Sequence, residues 1–179
     1  MEKLVIIPTY NEKENINNIL HAIFNLNDGF HVLVIDDGSP DGTAQIVREL
    51  IPKFSGKLFI EERTGKLGLG TAYIHGFKWA IEKGYQFIFE IDADFSHNPN
   101  DLPKLYNACK NEGADVAVGS RYIKGGGVVN WPINRIALSK GASLNIRMIT
   151  WMPLKDPTAG FVCYKKEVLE TINLDEIRF

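Results

Sequence analysis

The chain has 179 residues, of which 45% are hydrophobic, 11% aromatic and 23% charged, and its formal net charge is −2. This composition excludes collagen-like, disordered and low-complexity chains, and the length suffices for one domain with a sizeable core. No apolar run reaches the roughly 18–20 residues of a membrane-spanning helix, and MEKLVIIPTYNE lacks the pattern of a signal peptide.

The first strand is predicted at Leu4–Ile7, followed by Pro8-Thr9-Tyr10-Asn11-Glu12 and a helix with the apolar stripe Ile16, Ile19, Leu20, Ile23 and Phe24. A second strand, Val32–Ile35, runs into Asp36-Asp37-Gly38-Ser39, and the next helical stripe is Ala44, Val47, Leu50 and Ile51. The third strand, Leu58–Ile60, precedes the glycine-rich loop from Arg63 to Gly70 and a less regular stripe of Ala72, Ile74, Phe77, Lys78 and Ile81. Phe87–Ile91 forms the fourth strand and ends in Asp92-Ala93-Asp94. Asn98 then caps a helix with Pro99 in its first turn and Leu102, Leu105 and Ala108 inward. A fifth strand, Val116–Val118, leads to Ser120-Arg121. Strands alternating with helices predict βα units and a parallel sheet, with the ligand outside the carboxyl ends of the strands. All five chemistry-bearing loops fall at those ends, which marks an active-site rim.

From Val116 to Lys155 there is no Asp or Glu, whereas Arg121, Lys124, Arg135, Lys140, Arg147 and Lys155 are all present. A basic segment in an otherwise acidic chain suggests an anionic partner held locally, against the plain alternative of a solvated basic face. Cys109 and Cys163 are expected to be reduced thiols of an intracellular protein.

Each motif has a bland reading beside the chemical one. Asp92 and Asp94 alternate at a strand end, where two carboxylates can share Mg²⁺ or Mn²⁺, although solvated loop aspartates are common. The segment from Asp37 is not a calcium loop, because Arg48 stands where a bidentate Glu is required. Asp41 reads as a helix cap, while Asp36 and Asp37 look available for a ligand. Gly68-Leu69-Gly70 lacks the third glycine of a dinucleotide fingerprint, Tyr73 taking its place, and lacks a P-loop ending. A flexible loop that brings Lys66 near a phosphate is the better reading. The histidines show no metal spacing, and Ser39 and Ser120 read as caps or turns rather than nucleophiles.

The ordered set Pro-Thr-Tyr-Asn-Glu, Asp-Asp-Gly-Ser-Pro-Asp-Gly-Thr, Gly-Leu-Gly-Thr-Ala-Tyr-Ile-His-Gly and Asp-Ala-Asp-Phe-Ser-His is specific in combination. With Gly119-Ser120-Arg121-Tyr122 and Asp156-Pro157-Thr158-Ala159-Gly160-Phe161, the chain closely resembles the dolichol-phosphate (polyprenol-phosphate) mannosyltransferases. These are inverting family-2 glycosyltransferases. The resemblance implies a GT-A fold, a Rossmann-like and mostly parallel sheet with helices on both faces. It also implies that Pro8, Tyr10 and Glu12, with Ile35 and Asp37, hold the guanosine end of GDP-mannose. Asp92, Ala93 and Asp94 would bind the diphosphate through Mg²⁺ or Mn²⁺. Arg121 and Arg135, with Ser139, would face the donor diphosphate and the acceptor phosphate, and Ser96 stands where some relatives place a glutamine metal ligand.

The implied partners are GDP-mannose, a polyprenyl phosphate and a membrane surface, with no nucleic acid, and the implied location is peripheral on a cytoplasmic face. The mixed apolar and basic segment around Trp131, Ile136, Leu144 and Trp151 suits a membrane interface, or equally a helix packed on the sheet. The family continues beyond Asp-Pro-Thr-Ala-Gly-Phe with an aromatic-Gln-x-Glu segment, so residues 1–179 are expected to be a single GT-A domain lacking it. A related transferase using UDP-glucose or an amino sugar, an aspartate-based phosphatase and a non-catalytic nucleotide-binding module remain as alternatives.

Overall fold

The computed structural model describes residues 1–120, 151, 156 and 158–177. In chain order these form β1 (Lys3–Thr9), α1 (Ile16–Phe24), β2 (His31–Asp36), α2 (Thr43–Leu50), β3 (Leu58–Glu62) and α3 (Leu69–Glu82). Then follow β4 (Phe87–Glu90), a 3-10 turn (Pro99–Asp101), α4 (Leu102–Lys110), β5 (Val116–Val118), β6 (Val162–Lys165) and α5 (Lys166–Thr171).

The strands make one sheet in the order β3-β2-β1-β4-β6-β5. β1 pairs in parallel with β2 and with β4, and β2 pairs in parallel with β3. β6 is antiparallel to both of its neighbours, β4 and β5. The expected mostly parallel sheet is thus present, with a correction at one edge. The fifth strand does not pair with the fourth, because β6, which periodicity did not assign, lies between them. Two antiparallel steps still leave β5 running in the direction of β4, so the loops after β1 to β5 emerge along one edge.

Alternation along the strands divides the core between two faces. Val5, Ile7, Val32, Val34, Phe87 and Phe89 pack toward α1, α2 and α4, and Leu4, Ile6, Leu33, Ile35 and Ile88 toward α3 and α5. Each fully buried side chain of this kind contributes about 1.5–3 kcal/mol relative to exposure. The path β1–β2–β3 proceeds in one direction with α1 and α2 on one face. The return to β4 carries α3 across the other face, as right-handed crossovers require. β1 and β4 therefore flank the point where the winding reverses, the place where open α/β sheets form a crevice.

α3 lies close to β1 because Gly76 has no side chain. A Cβ there would stand 2.8 Å from Ile6 Cγ2. Among the described residues no helix is long and apolar enough to cross a membrane. Arg121, Arg135, Ser139 and the segment proposed for a membrane interface, apart from Trp151, lie outside the described residues.

Candidate active site

The cleft opens where β1 and β4 part. Their ladder ends at Ile6 opposite Glu90, and the Ile91 N–H still donates to the Ile6 carbonyl at 3.3 Å. Two residues on, the backbone again faces β4, but this residue is Pro8, which has no N–H to give. The Thr9 carbonyl instead accepts the Asp37 N–H from the β2 side at 2.9 Å. The resulting cavity of about 270 Å³ is lined by Pro8, Thr9, Tyr10 and Glu12 after β1, and by Asp37 after β2. Lys66, Gly68, Leu69 and Ala72 line it from the glycine-rich loop and α3, and Asp92, Ala93 and Asp94 after β4.

Ile88, Glu90 and Asp92 follow the period-two alternation toward α3, which carries Asp92 to the floor of the cleft. The Tyr73 hydroxyl, reaching from α3, donates to Asp92 Oδ1 at 3.2 Å. Burial, reinforced by the Asp92 charge, holds this phenol well above the usual tyrosine range, so it stays a donor. On the other side Gly160 leaves room for the carboxylate, since a Cβ there would lie 2.9 Å from Asp92 Oδ2. Beneath it, burial pushes Glu90 up to about 7; the Tyr164 hydroxyl, donating at 3.3 Å, works against that rise and the Asp92 charge adds to it. Asp94 is turned by its own neighbour. Its Oδ1 accepts the Ser96 N–H at 2.9 Å and its Oδ2 the Ser96 hydroxyl at 2.8 Å.

The acidic pair at the end of β2 is engaged within the fold, and of the two Asp37 also lines the cleft. Asp36 is buried and accepts hydrogen bonds from the Thr9 hydroxyl, the Ser39 hydroxyl and the Ser39 N–H. Asp37 binds Arg63 through Oδ1, with Nε at 2.6 Å, and its Oδ2 accepts the N–H groups of Leu67 and Gly68 at 3.0 and 3.2 Å. Arg63 also donates to the Thr71 hydroxyl and the Gly68 carbonyl. Gly38 has φ +70°, and a Cβ there would meet Gly65 Cα at 3.3 Å, so the two loops touch backbone to backbone. The glycine-rich loop is therefore anchored to β2 rather than loose over the cleft. Lys66, at its tip, lies 4.5 Å from the Tyr10 ring centroid. The cap position of α2 is Gly42, with φ +93°, rather than Asp41 as read from the sequence; Asp41, one residue earlier, accepts the Thr43 N–H at 3.0 Å.

The donor set suits a small hard cation. Asp92 and Asp94 offer carboxylate oxygens in an open cleft, and Mg²⁺ or Mn²⁺ commonly takes one or two carboxylates and completes its shell with substrate oxygens and water. Among the described residues no cluster of three or more His, Cys, Asp or Glu could enclose a metal alone. His97, beside the acidic pair in sequence, is buried with its ring stacked on Phe161, centroids 5.1 Å apart.

The structure brings Pro8, Tyr10, Glu12, Asp37, Asp92, Ala93 and Asp94 together in one cleft. Ile35 is fully buried in the core on the α3 side. Arg121, Arg135 and Ser139 lie outside the described residues. Sequence reasoning placed Arg63 only as the first residue of a rim loop and assigned no role to Tyr73 or Gly160. Tyr73 had drawn notice only as a mismatch to a glycine fingerprint, and Gly160 only as one letter of Asp-Pro-Thr-Ala-Gly-Phe.

The curated relatives include three enzymes similar over nearly the whole chain. The polyprenol monophosphomannose synthase of Mycolicibacterium smegmatis is 45% identical over 97% of this chain and 65% of its own length. The undecaprenyl-phosphate mannosyltransferase of Micrococcus luteus is 42% identical, over 99% of this chain and 72% of its own length. The dolichol-phosphate mannosyltransferase of Pyrococcus furiosus is 44% identical, over 100% and 50%. The chain thus spans less than two thirds of the first and third of these proteins. Among solved structures, a mannosyltransferase from Pyrobaculum calidifontis in complex with GDP-Man and Mn²⁺ superposes with a TM-score of 0.63 at 22% identity, over 95% of this chain and 46% of its own. The UDP complex of glucosyl-3-phosphoglycerate synthase from Mycobacterium tuberculosis gives 0.68 at 18%, over 96% and 59%. These two likenesses establish the GT-A fold. The glycosyl transferase family 2 profile matches residues 4–172, from the first buried strand to the end of the last helix. The chain belongs to glycosyl transferase family 2.

Proposed function

We propose that this chain transfers mannose from GDP-mannose to a polyprenyl phosphate, with inversion at the anomeric carbon and release of GDP, on the cytoplasmic face of a membrane to which it binds peripherally. The observation that carries the reading is the carboxylate pair Asp92 and Asp94 in the switch-point cleft of a chain 42–45% identical to three enzymes named for mannosyl transfer or polyprenol phosphomannose synthesis. Pro8, Tyr10, Glu12 and Asp37 hold the nucleoside end. Ile35, buried in β2, bears on that end through Asp37, which follows the strand two residues on. Asp92, Ala93 and Asp94 receive the diphosphate, and Asp92 and Asp94 are the residues that would hold Mg²⁺ or Mn²⁺. When bound, the cation supplies positive charge where the diphosphate leaves.

The acceptor is a phosphate monoester whose second pKa is about 6, so at neutral pH it is largely a dianion and needs no general base. Its oxygen attacks the anomeric carbon as the bond to the GDP oxygen breaks. What the acceptor does need is cationic positioning, which Arg121 and Arg135 supply with Ser139. The segment from Val116 to Lys155 has no acid to compete for those guanidiniums.

The test is transfer of radiolabel from GDP-mannose into the organic phase in the presence of a short polyprenyl phosphate, with the anomeric configuration read by NMR. Lipid-linked β-mannose is expected. Transfer from UDP-glucose in preference to GDP-mannose would move the chain to a sister activity within the family.

A further inference from the structure

We infer that Tyr73 is a positioning residue for Asp92, its hydroxyl fixing the orientation of the carboxylate that receives the cation and the donor diphosphate. The inference rests on the proposed function, because it needs Asp92 to be that carboxylate. It begins with a mismatch of chemistry and mobility. An aspartate at the end of a strand turns about a soft, two-fold torsion, so nothing in its own side chain selects one orientation. A carboxylate that must present oxygens to a small cation gains from a second partner that holds it.

Tyr73 meets that need. It sits one turn into α3, buried, with its ring stacked on Phe77 at 6.2 Å, and Phe77 in turn meets the Tyr164 ring edge-on at 5.5 Å. α3 is brought down on β1 by the missing side chain at Gly76, so the ring is placed by packing rather than by a mobile stem. Its hydroxyl donates to Asp92 Oδ1, and Oδ2 is turned toward Gly160. The carboxylate is thus set between a donor on one side and the close approach of Gly160 on the other.

A purely structural role would be to satisfy a buried hydroxyl, with no consequence for the cation. Binding of Mn²⁺ separates the two. Free Mn²⁺ is counted by electron paramagnetic resonance at saturating GDP, which requires no turnover. In wild type, Mn²⁺ binding is expected. Tyr73→Phe keeps the stacked ring and removes only the hydroxyl, and it should weaken Mn²⁺ binding about tenfold or more, the usual scale for a partner of a metal ligand. Gly160→Ala, which crowds the same carboxylate from the other side, should weaken it as well. Tyr85→Phe serves as control, since it removes another buried hydroxyl whose partner is His31, and it should leave Mn²⁺ binding unchanged. Thermal unfolding of each variant is followed alongside. Tyr73→Phe with wild-type Mn²⁺ affinity overturns the positioning role alone. Absence of Mn²⁺ binding in wild type overturns the assignment of Asp92 itself, and the positioning role falls with it.

Discussion

Asp37 and Arg63 are both more than nine-tenths buried, with side chains 7% and 9% exposed, and they spend their charges on each other and on the loop. Removing one member of such a pair leaves the other charge stranded away from water. Arg63→Met is expected to cost about 3–5 kcal/mol of stability, measured by urea unfolding. Arg63→Lys should recover only part of it, because one ammonium cannot reach Asp37, Thr71 and the Gly68 carbonyl together. A change of less than about 1 kcal/mol for Arg63→Met would mean the pair is better solvated than its burial says. Arg135 is the contrasting case, a cation assigned to the acceptor phosphate in a stretch without acids. Arg135→Ala should lower transfer to polyprenyl phosphate about ten- to hundredfold, the scale of a lost charge-assisted contact, while GDP affinity measured by calorimetry stays near wild type. Transfer at the wild-type rate would remove Arg135 from acceptor binding. At this scale the legible residues were those that follow an apolar strand, such as Tyr10, Glu12, Asp92 and Asp94. The roles of Arg63, Tyr73 and Gly160 were not legible, because they consist of contacts with distant residues. Asp36 and Asp37 were found, but not their bonds to Thr9, Ser39, Arg63 and the glycine-rich loop, since a sequence does not say which carboxylates the fold itself engages.

Among the elements, α3 shows why a helix can be found and its buried face missed. Periodicity proposed Ala72, Ile74, Phe77, Lys78 and Ile81, whereas the buried set is Ala72, Tyr73, Gly76, Phe77 and Ala80. The inward face is partly small, because close approach to β1 demands it, and small residues carry little weight in a hydrophobic pattern. Gly76→Ala should therefore behave against helix propensity. The gain of about 1 kcal/mol from replacing a mid-helix glycine is set against about 1–3 kcal/mol for forcing a methyl into Ile6. A net loss of about 1 kcal/mol is expected in urea unfolding, and a net gain would show that Ile6 yields. β6 was missed for another reason. Val162-Cys163-Tyr164-Lys165 is short, shows no alternation, and owes its place to pairing on both sides rather than to its own pattern.

For the whole molecule, the far end of the sheet sets a pH dependence unrelated to the cleft. His31 Nδ1 lies 2.7 Å from the Tyr85 hydroxyl, whose own pKa burial pushes up to about 12. Burial lowers the His31 pKa, and the charges of Lys57 and the N-terminus lower it further. In the unfolded chain histidine titrates near 6.5, so above that pH both states hold a neutral ring and nothing is lost. Below it the unfolded chain takes up the proton more readily, and stability falls until the folded value is passed. Glu90 has the opposite sign. Its folded value of about 7 is above the usual carboxylate range, so its contribution rises as pH falls. The comparison must therefore be made against His31→Asn. The urea midpoint of wild type relative to that variant should drop between pH 7.5 and 5.5, and a constant difference would exclude His31 as the source.

Both ends of residues 119–161 are fastened at one point of the rim. The Gly119 N–H donates to the Phe161 carbonyl at 2.8 Å, and Val118 stands opposite Val162 in the ladder. All six cations of the acid-free stretch, from Arg121 to Lys155, fall in sequence between these two ends, and the clasp adjoins Asp92 through Gly160. Tethering entropy rises only with the logarithm of ring size, by about 0.6 kcal/mol for each doubling. Length and sequence inside the clasp can therefore change at little thermodynamic cost. Lineages are free to vary the sequence between the two ends of the clasp while those ends stay beside Asp92.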